Sequence, residues 1–134
     1  MKVYLDASVV VASALHEEPR AEAAAKILAR IENGLDEATT ASLTVDEIVW
    51  VAIRRASRET AIALGRRFLA LANLRVVPVS ASDMVAALNL MAIHKKLRPR
   101  NAVHLAIAKR EGISSIASLD GDFDGLPGID RVRT

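Results

Sequence analysis

The chain has 134 residues, 51% of them hydrophobic, enough for one domain that buries about two thirds of its unfolded surface without disulfides or a structural metal. It contains no cysteine, which excludes a disulfide scaffold, thiol catalysis, zinc-thiolate fingers and iron–sulfur clusters. Eighteen Lys+Arg against 16 Asp+Glu leave a net charge of only +2, so the overall charge says little about partners.

In chain order, Lys2 to Leu5 is a short apolar run ended by Asp6 and predicts a first strand, followed by a buried helix over Ala7 to Leu15. A second helix is expected from Pro19 to Asn33, with apolar Ala24, Ile27, Leu28 and Ile31 on one face and Gly34 as its stop. Thr39 to Leu43 predicts a buried strand. Thr44 then opens a helix with the apolar face Val45, Ile48, Val49 and Ile53, and a longer one runs from Ser57 to Asn73. Arg75 to Val79 is the third expected strand, and Ser82 is positioned to cap a helix with Met84, Ala87, Leu88 and Met91 on one face. The Arg98-Pro99 step breaks the chain before a helix from Asn101 to about Glu111, ended by Gly112. Ser115 to Leu119 predicts a fourth strand, Asp120 to Gly128 a polar loop, and Asp130 to Arg133 a short edge strand. The longest uncharged stretch, Met84 to His94, falls far short of the about 20 apolar residues that a membrane-spanning helix needs. The apolar run Ala7 to Leu15 is no signal peptide either, because Asp6 precedes it and His16-Glu17-Glu18 ends it. A cytoplasmic protein with no membrane association is expected.

No repeat, low-complexity tract or linker divides the chain, and residues 1–134 read as a single α/β domain. Strands alternating with helices imply a mostly parallel sheet covered on both faces, with ligands bound beyond the carboxyl ends of the strands. Asp6, the turn Thr44 to Glu47 and the segment Asp120 to Asp124 all fall there. Each has a structural explanation: Asp6 as a helix cap, Thr44 and Glu47 as a capping box, Asn101 as the next cap, and Asp120-Gly121 as a turn. As a set, these acids would raise one another's pKa and oppose folding unless a cation lay among them. Oxygen ligands without cysteine suit Mg²⁺ or Mn²⁺ better than zinc or copper. His16, His94 and His104 show no metal-binding spacing and are read as surface or packed residues. Bound Mg²⁺ would activate water and neutralise charge on a phosphodiester. Short basic clusters, among them Lys95-Lys96 with Arg98 and Arg100, would hold a phosphate backbone, while Tyr4, Trp50, Phe68 and Phe123 are too few aromatics for base stacking.

Four segments carry a family resemblance: VYLDASVVV (Val3 to Val11), LTVDEIVWVAIR (Leu43 to Arg54), LRPRNAVHLAIAKREGI (Leu97 to Ile113) and SIASLDGDFDGLPGI (Ser115 to Ile129). Together they resemble the PIN-domain ribonucleases, especially the VapC-type toxins of prokaryotic toxin–antitoxin pairs. The resemblance implies a three-layer α/β/α sandwich around a short parallel sheet. It makes Asp6, Glu47 and Asp120 the metal-binding acids, with Asp122 an auxiliary acid and Ser8 and Ser118 their hydroxyl neighbours. At the family's third acid this chain has Asn101, which brings no charge. Weaker Mg²⁺ binding and reduced or absent cleavage are therefore expected.

The resemblance thus implies an endoribonuclease that cleaves RNA with Mg²⁺-activated water, Mn²⁺ serving in its place. It also implies a homodimer and a small antitoxin protein occupying the acidic cleft. The competing reading is a non-catalytic protein of the same fold that binds RNA or an antitoxin while Asn101 silences the site. A phospho-receiver domain would need an acceptor Asp after the third strand, where Val77-Pro78-Val79-Ser80 stands.

Overall fold

The computed structural model describes residues 1–132, and its elements alternate as the hydrophobic pattern predicts. They are β1 (Lys2–Leu5), α1 (Ala7–Ala14), α2 (Arg20–Glu32), β2 (Glu37–Ala41), α3 (Ser42–Arg55), α4 (Arg58–Leu69), β3 (Leu74–Val77), α5 (Ala81–Ile93), α6 (Pro99–Arg110), β4 (Ser115–Ala117) and β5 (Asp130–Arg131). All strand pairs are parallel, in the order β3-β2-β1-β4-β5. Val3 and Leu5 of β1 enter the core formed with α1 to α4, whereas Tyr4 enters the core formed with α5 and α6. That period of two gives the three-layer α/β/α sandwich. Residues Asn101 to Ala108 of α6 are buried without interruption, as befits a helix enclosed on every side.

Register decides which side chains meet. Tyr4 pairs with Thr39 and Ile116, and Leu5 with Ala117, so β1 and β4 end level with one another and β2 runs one residue beyond them. The residues that follow them, Asp6, the first turns of α3 and Ser118 to Asp120, consequently open on one rim of the sheet.

Several local expectations are corrected. The second strand ends at Ala41, not Leu43, and α3 begins at Ser42. Ala41 takes the extended capping conformation, and Thr44 is fully buried within α3, its hydroxyl 2.7 Å from that of Thr40. Thr44 and Glu47 therefore form no capping box, which releases the Glu47 carboxylate for other partners. The cap of α5 is Ser80, not Ser82: its hydroxyl accepts from the Asp83 N–H while Asp83 accepts from the Ser80 N–H. Burial pushes the Asp83 carboxyl up, but the Ser80 hydrogen bonds and the Arg110 guanidinium outweigh it and hold the group below the usual carboxylate range. On α5, Met84 and Leu88 are exposed and Ala87 is buried, because a helix apolar on most sides gives no stripe to choose from. α4 stops at Leu69, and Asn73 instead takes a left-handed turn (φ 64°) with its amide on the Ile31 carbonyl, 3.0 Å away. α6 starts at Pro99, which places Asn101 inside its first turn and not at its cap. The third and fourth strands are shorter than expected, and the last is confirmed over Asp130–Arg131, while Arg133 lies outside the described residues. The loop after β4 contains a short 3₁₀ turn, Gly121–Phe123, anchored by fully buried Phe123. No helix among the described residues is long and apolar enough to cross a membrane.

Candidate active site

Asp6 has the extended backbone of a helix cap, yet its side chain makes no capping bond to α1. Its Oδ2 instead accepts from two hydroxyls, Ser8 Oγ and Ser118 Oγ, each at 2.7 Å. Ser8 Oγ also accepts from the Leu119 N–H, and Ser118 Oγ from the Asp120 N–H, both at 3.0 Å. These bonds tie the end of β4 to the start of α1 and orient a carboxylate that is only 4% exposed. Glu47 lies on the second turn of α3, next to fully buried Ile48, and its Oε1 is hydrogen-bonded to His104 Nε2. The other ring nitrogen of His104, Nδ1, lies 2.6 Å from the Tyr4 hydroxyl, and Nε2 lies 4.0 Å from Asp6 Oδ1. Burial, reinforced by the carboxylates of Asp6 and Glu47, pushes the Tyr4 hydroxyl well above the usual tyrosine range.

Asp6, Glu47 and His104 each bring one ligand atom within 4.8 Å of the others. Two carboxylates this close and this sheltered repel each other, and a hard divalent cation removes that repulsion. The donor chemistry fits such an ion, with Asp6 and Glu47 to hold it.

Asp120 and Asp122 form a separate, more exposed pair. Asp120 Oδ1 accepts from the Asp122 N–H at 2.9 Å, which fixes the turn. Arg98 bridges both acids, with Nε 2.6 Å from Asp122 and a terminal nitrogen 2.8 Å from Asp120. Hydrogen bonding to Asp122 and the charges of both acids raise its pKa still further. The Asn101 amide nitrogen donates to the same two carboxylates at 3.1 and 3.2 Å. Asn101 thus occupies the rim as a donor to two acids, a role that an ionised aspartate cannot fill.

A cleft of about 390 Å³ opens over these groups, lined by Asp6, Ser8, Glu47, Asn101 and Asp120 and bordered by Arg20, Arg55, Arg98 and Arg100. Glu17 pairs with both Arg20 and Arg55 at its mouth. Lys95 and Lys96, expected to hold nucleic acid, are exposed in the connection between α5 and α6 and do not line the cleft; Lys95 Nζ donates to the Ala92 carbonyl at 2.9 Å. The structure therefore brings Asp6, Ser8, Glu47, Asn101, Ser118, Asp120, Asp122, Arg98 and Arg100 to one rim and leaves the two lysines outside it.

Sequence reasoning missed two contributors, His104 and Arg20. His104 is packed, as expected, but its place against Glu47 was not foreseen. The available signal was its spacing of three from Asn101, which puts both on one face of α6. Arg20 stands outside the short basic clusters, and it joins Arg55, a member of the cluster Arg54-Arg55 with Arg58 that was expected to hold a phosphate backbone, only because α2 and α3 flank the same rim.

Comparison with known proteins bears on the family to which this fold belongs. The PIN-domain family pattern matches residues 3–129. Ribonuclease VapC7 of Mycobacterium tuberculosis is 28% identical over 130 residues, covering 97% of this chain and 90% of the relative. Among solved structures, Mycobacterium tuberculosis VapC20, described as a sarcin–ricin loop cleaving toxin, superposes with a TM-score of 0.84 at 22% identity, covering 98% of this chain and 99% of the other. VapBC2 of Rickettsia felis, bound to a DNA fragment from its promoter, gives 0.75 at 12% identity over 98% of each chain.

Proposed function

The chain belongs to the PIN-domain family and is of the VapC type, and on that premise we propose that it is an endoribonuclease dependent on Mg²⁺, with Mn²⁺ able to substitute. The observation that carries this reading is the meeting of Asp6 and Glu47 beside His104 at the floor of a cleft bordered by arginines. A divalent cation held there supplies Lewis acidity toward the scissile phosphodiester and makes water a competent nucleophile. Asp6 and Glu47 would hold the ion, and Ser8 and Ser118 fix the orientation of Asp6 through its Oδ2. Asp120 and Asp122 complete the acidic rim with Asn101. Arg20, Arg55 and Arg100 grip the RNA backbone, so binding is sequence-tolerant and weakens steeply with salt.

The second reading, a non-catalytic protein of this fold that binds RNA or an antitoxin, is favoured by one observation. Arg98 and Asn101 already satisfy Asp120 and Asp122, leaving fewer free carboxylate oxygens for metal. Antitoxin association is supported by the likeness to the Rickettsia felis VapBC2 structure, and homodimerisation by the exposed apolar side chains Met84, Val85 and Leu88 on α5.

Cleavage of a panel of transfer, ribosomal and messenger RNAs, including a sarcin–ricin stem-loop, tests the proposal with and without Mg²⁺ or Mn²⁺. The unaltered chain is compared with Asn101→Asp and Asn101→Asp/Asp6→Ala. Metal-dependent cleavage that is faster in Asn101→Asp and lost in the double variant supports the ribonuclease. Absence of cleavage by every version favours the binding protein.

A further inference from the structure

We propose that His104 is the positioning residue of the acidic site: by donating its Nε2–H it holds the Glu47 carboxylate in place, and the Tyr4 hydroxyl at Nδ1 fixes the ring that does so. The inference rests on the metal-site reading above and adds to it a residue that touches neither metal nor RNA.

The geometry leaves His104 little choice. Its side chain is fully buried and is clasped from two elements, with Tyr4 on β1 at 2.6 Å from Nδ1 and Glu47 on α3 hydrogen-bonded to Nε2. A bare Nε2 lone pair against a carboxylate would set two acceptors face to face in a sheltered corner, so the proton resides on Nε2. The in-plane orbital of that nitrogen then forms the N–H bond and its one lone pair is delocalised in the ring, so His104 is no metal ligand through Nε2. An imidazole that donates to a ligating carboxylate fixes the ligand's rotamer, and loss of such an outer partner typically weakens metal binding about 10- to 100-fold. Glu47 has particular need of it. Asp6 is held by two serine hydroxyls, whereas His104 is the one side chain, among the described residues, recorded in a hydrogen bond to Glu47. Tyr4 in turn prevents the ring from flipping, because its hydroxyl is presented by the central strand of the sheet.

The test combines two readouts that do not require RNA cleavage. In the metal-free chain, nitrogen-15 NMR of labelled histidine, with the His104→Gln spectrum used to assign the signal among three histidines, is expected to show a proton on Nε2. A ring protonated only on Nδ1 overturns the proposal. Calorimetric titration with Mn²⁺ then compares the unaltered chain with His104→Leu, His104→Gln and His104→Asn, each checked for folding by circular dichroism. His104→Leu is expected to bind Mn²⁺ about 10- to 100-fold more weakly, and His104→Gln to recover most of the loss because its amide N–H reaches the place of Nε2. His104→Asn, one methylene shorter, should not recover it. Equal affinity in the Gln and Asn variants overturns the proposal even if His104→Leu fails to fold, and so does unchanged affinity in a folded His104→Leu. Asp6→Asn separates the two ideas. If it abolishes Mn²⁺ binding while the His104 variants bind normally, only the positioning role falls; if Mn²⁺ binding is absent or indifferent to Asp6, the metal-site reading falls and takes this inference with it.

Discussion

Asp6 and Glu47 share a sheltered corner with His104, whereas Asp120 and Asp122, on the same rim, share an open one with Arg98 and Asn101. Both pairs place like charges together, but they are compensated differently. The first has serine hydroxyls and an imidazole, which orient carboxylates without neutralising them fully; the second has a guanidinium that supplies a full positive charge from within the chain. The contrast teaches that acidity alone does not make a cation site. What matters is whether the protein has already provided the cation.

The largest effect expected from this contrast is at Asp6. Asp6→Asn removes the charge but keeps an oxygen for Ser8 and Ser118, and Mn²⁺ affinity should fall beyond the roughly 10- to 100-fold that loss of an outer partner costs. Calorimetry checks this, and a loss no greater than that of Asp122→Asn would erase the distinction between the two pairs. Next in size, Asn101→Asp adds a third carboxylate beside Asp120 and Asp122 and removes a donor to both. Without metal the variant should unfold at lower temperature than the unaltered chain, and Mg²⁺ should restore it; about tenfold tighter binding, ~1.4 kcal/mol, is the expected gain. Thermal melts with and without EDTA read both effects.

A smaller change is expected from Arg98→Gln. Arg98 is 65% exposed, so its ion pairs contribute on the order of 0–1 kcal/mol to stability and the melting temperature should hardly move. Freed from their guanidinium, Asp120 and Asp122 should nonetheless tighten Mn²⁺ binding by a few-fold, within about 1 kcal/mol. At neutral pH the smallest signal belongs to Tyr4, the chain's single tyrosine. Burial raises its folded pKa, so the contribution of the neutral hydroxyl is complete below the unfolded value of about 10 and is lost as pH climbs from there toward the folded value. Tyrosinate absorbance should therefore stay absent through pH 10 in the folded chain and appear with unfolding; ordinary titration near 10 in a folded chain would contradict the buried Tyr4–His104 pair.

Much of the fold was legible because period and punctuation agreed. Val3 to Leu5 followed by Asp6, the Gly34 stop and the break at Arg98-Pro99 all act locally, and the structure keeps them with small shifts, the helix after the break beginning at Pro99 and not at Asn101. Errors arose where two local readings competed. Thr44 and Glu47 satisfy the spacing of a capping box, but burial of Thr44 against Thr40 moved the helix start to Ser42 and turned Glu47 toward α6. Ser82 stood closer to the apolar run than Ser80, yet only Ser80 has an acid three residues on. Within the site, the acids could be placed by the strand-end rule, whereas the Glu47–His104–Tyr4 chain joins residues 57 and 100 positions apart and depends on packing between α3, α6 and β1 that no local pattern encodes.

Crystals soaked in Mn²⁺ and measured for anomalous scattering would test the central claim most directly. A single peak between Asp6 and Glu47, with Arg98 still paired to Asp120 and Asp122, is the predicted result. A peak between Asp120 and Asp122 that displaces Arg98, with none at Asp6, would contradict it.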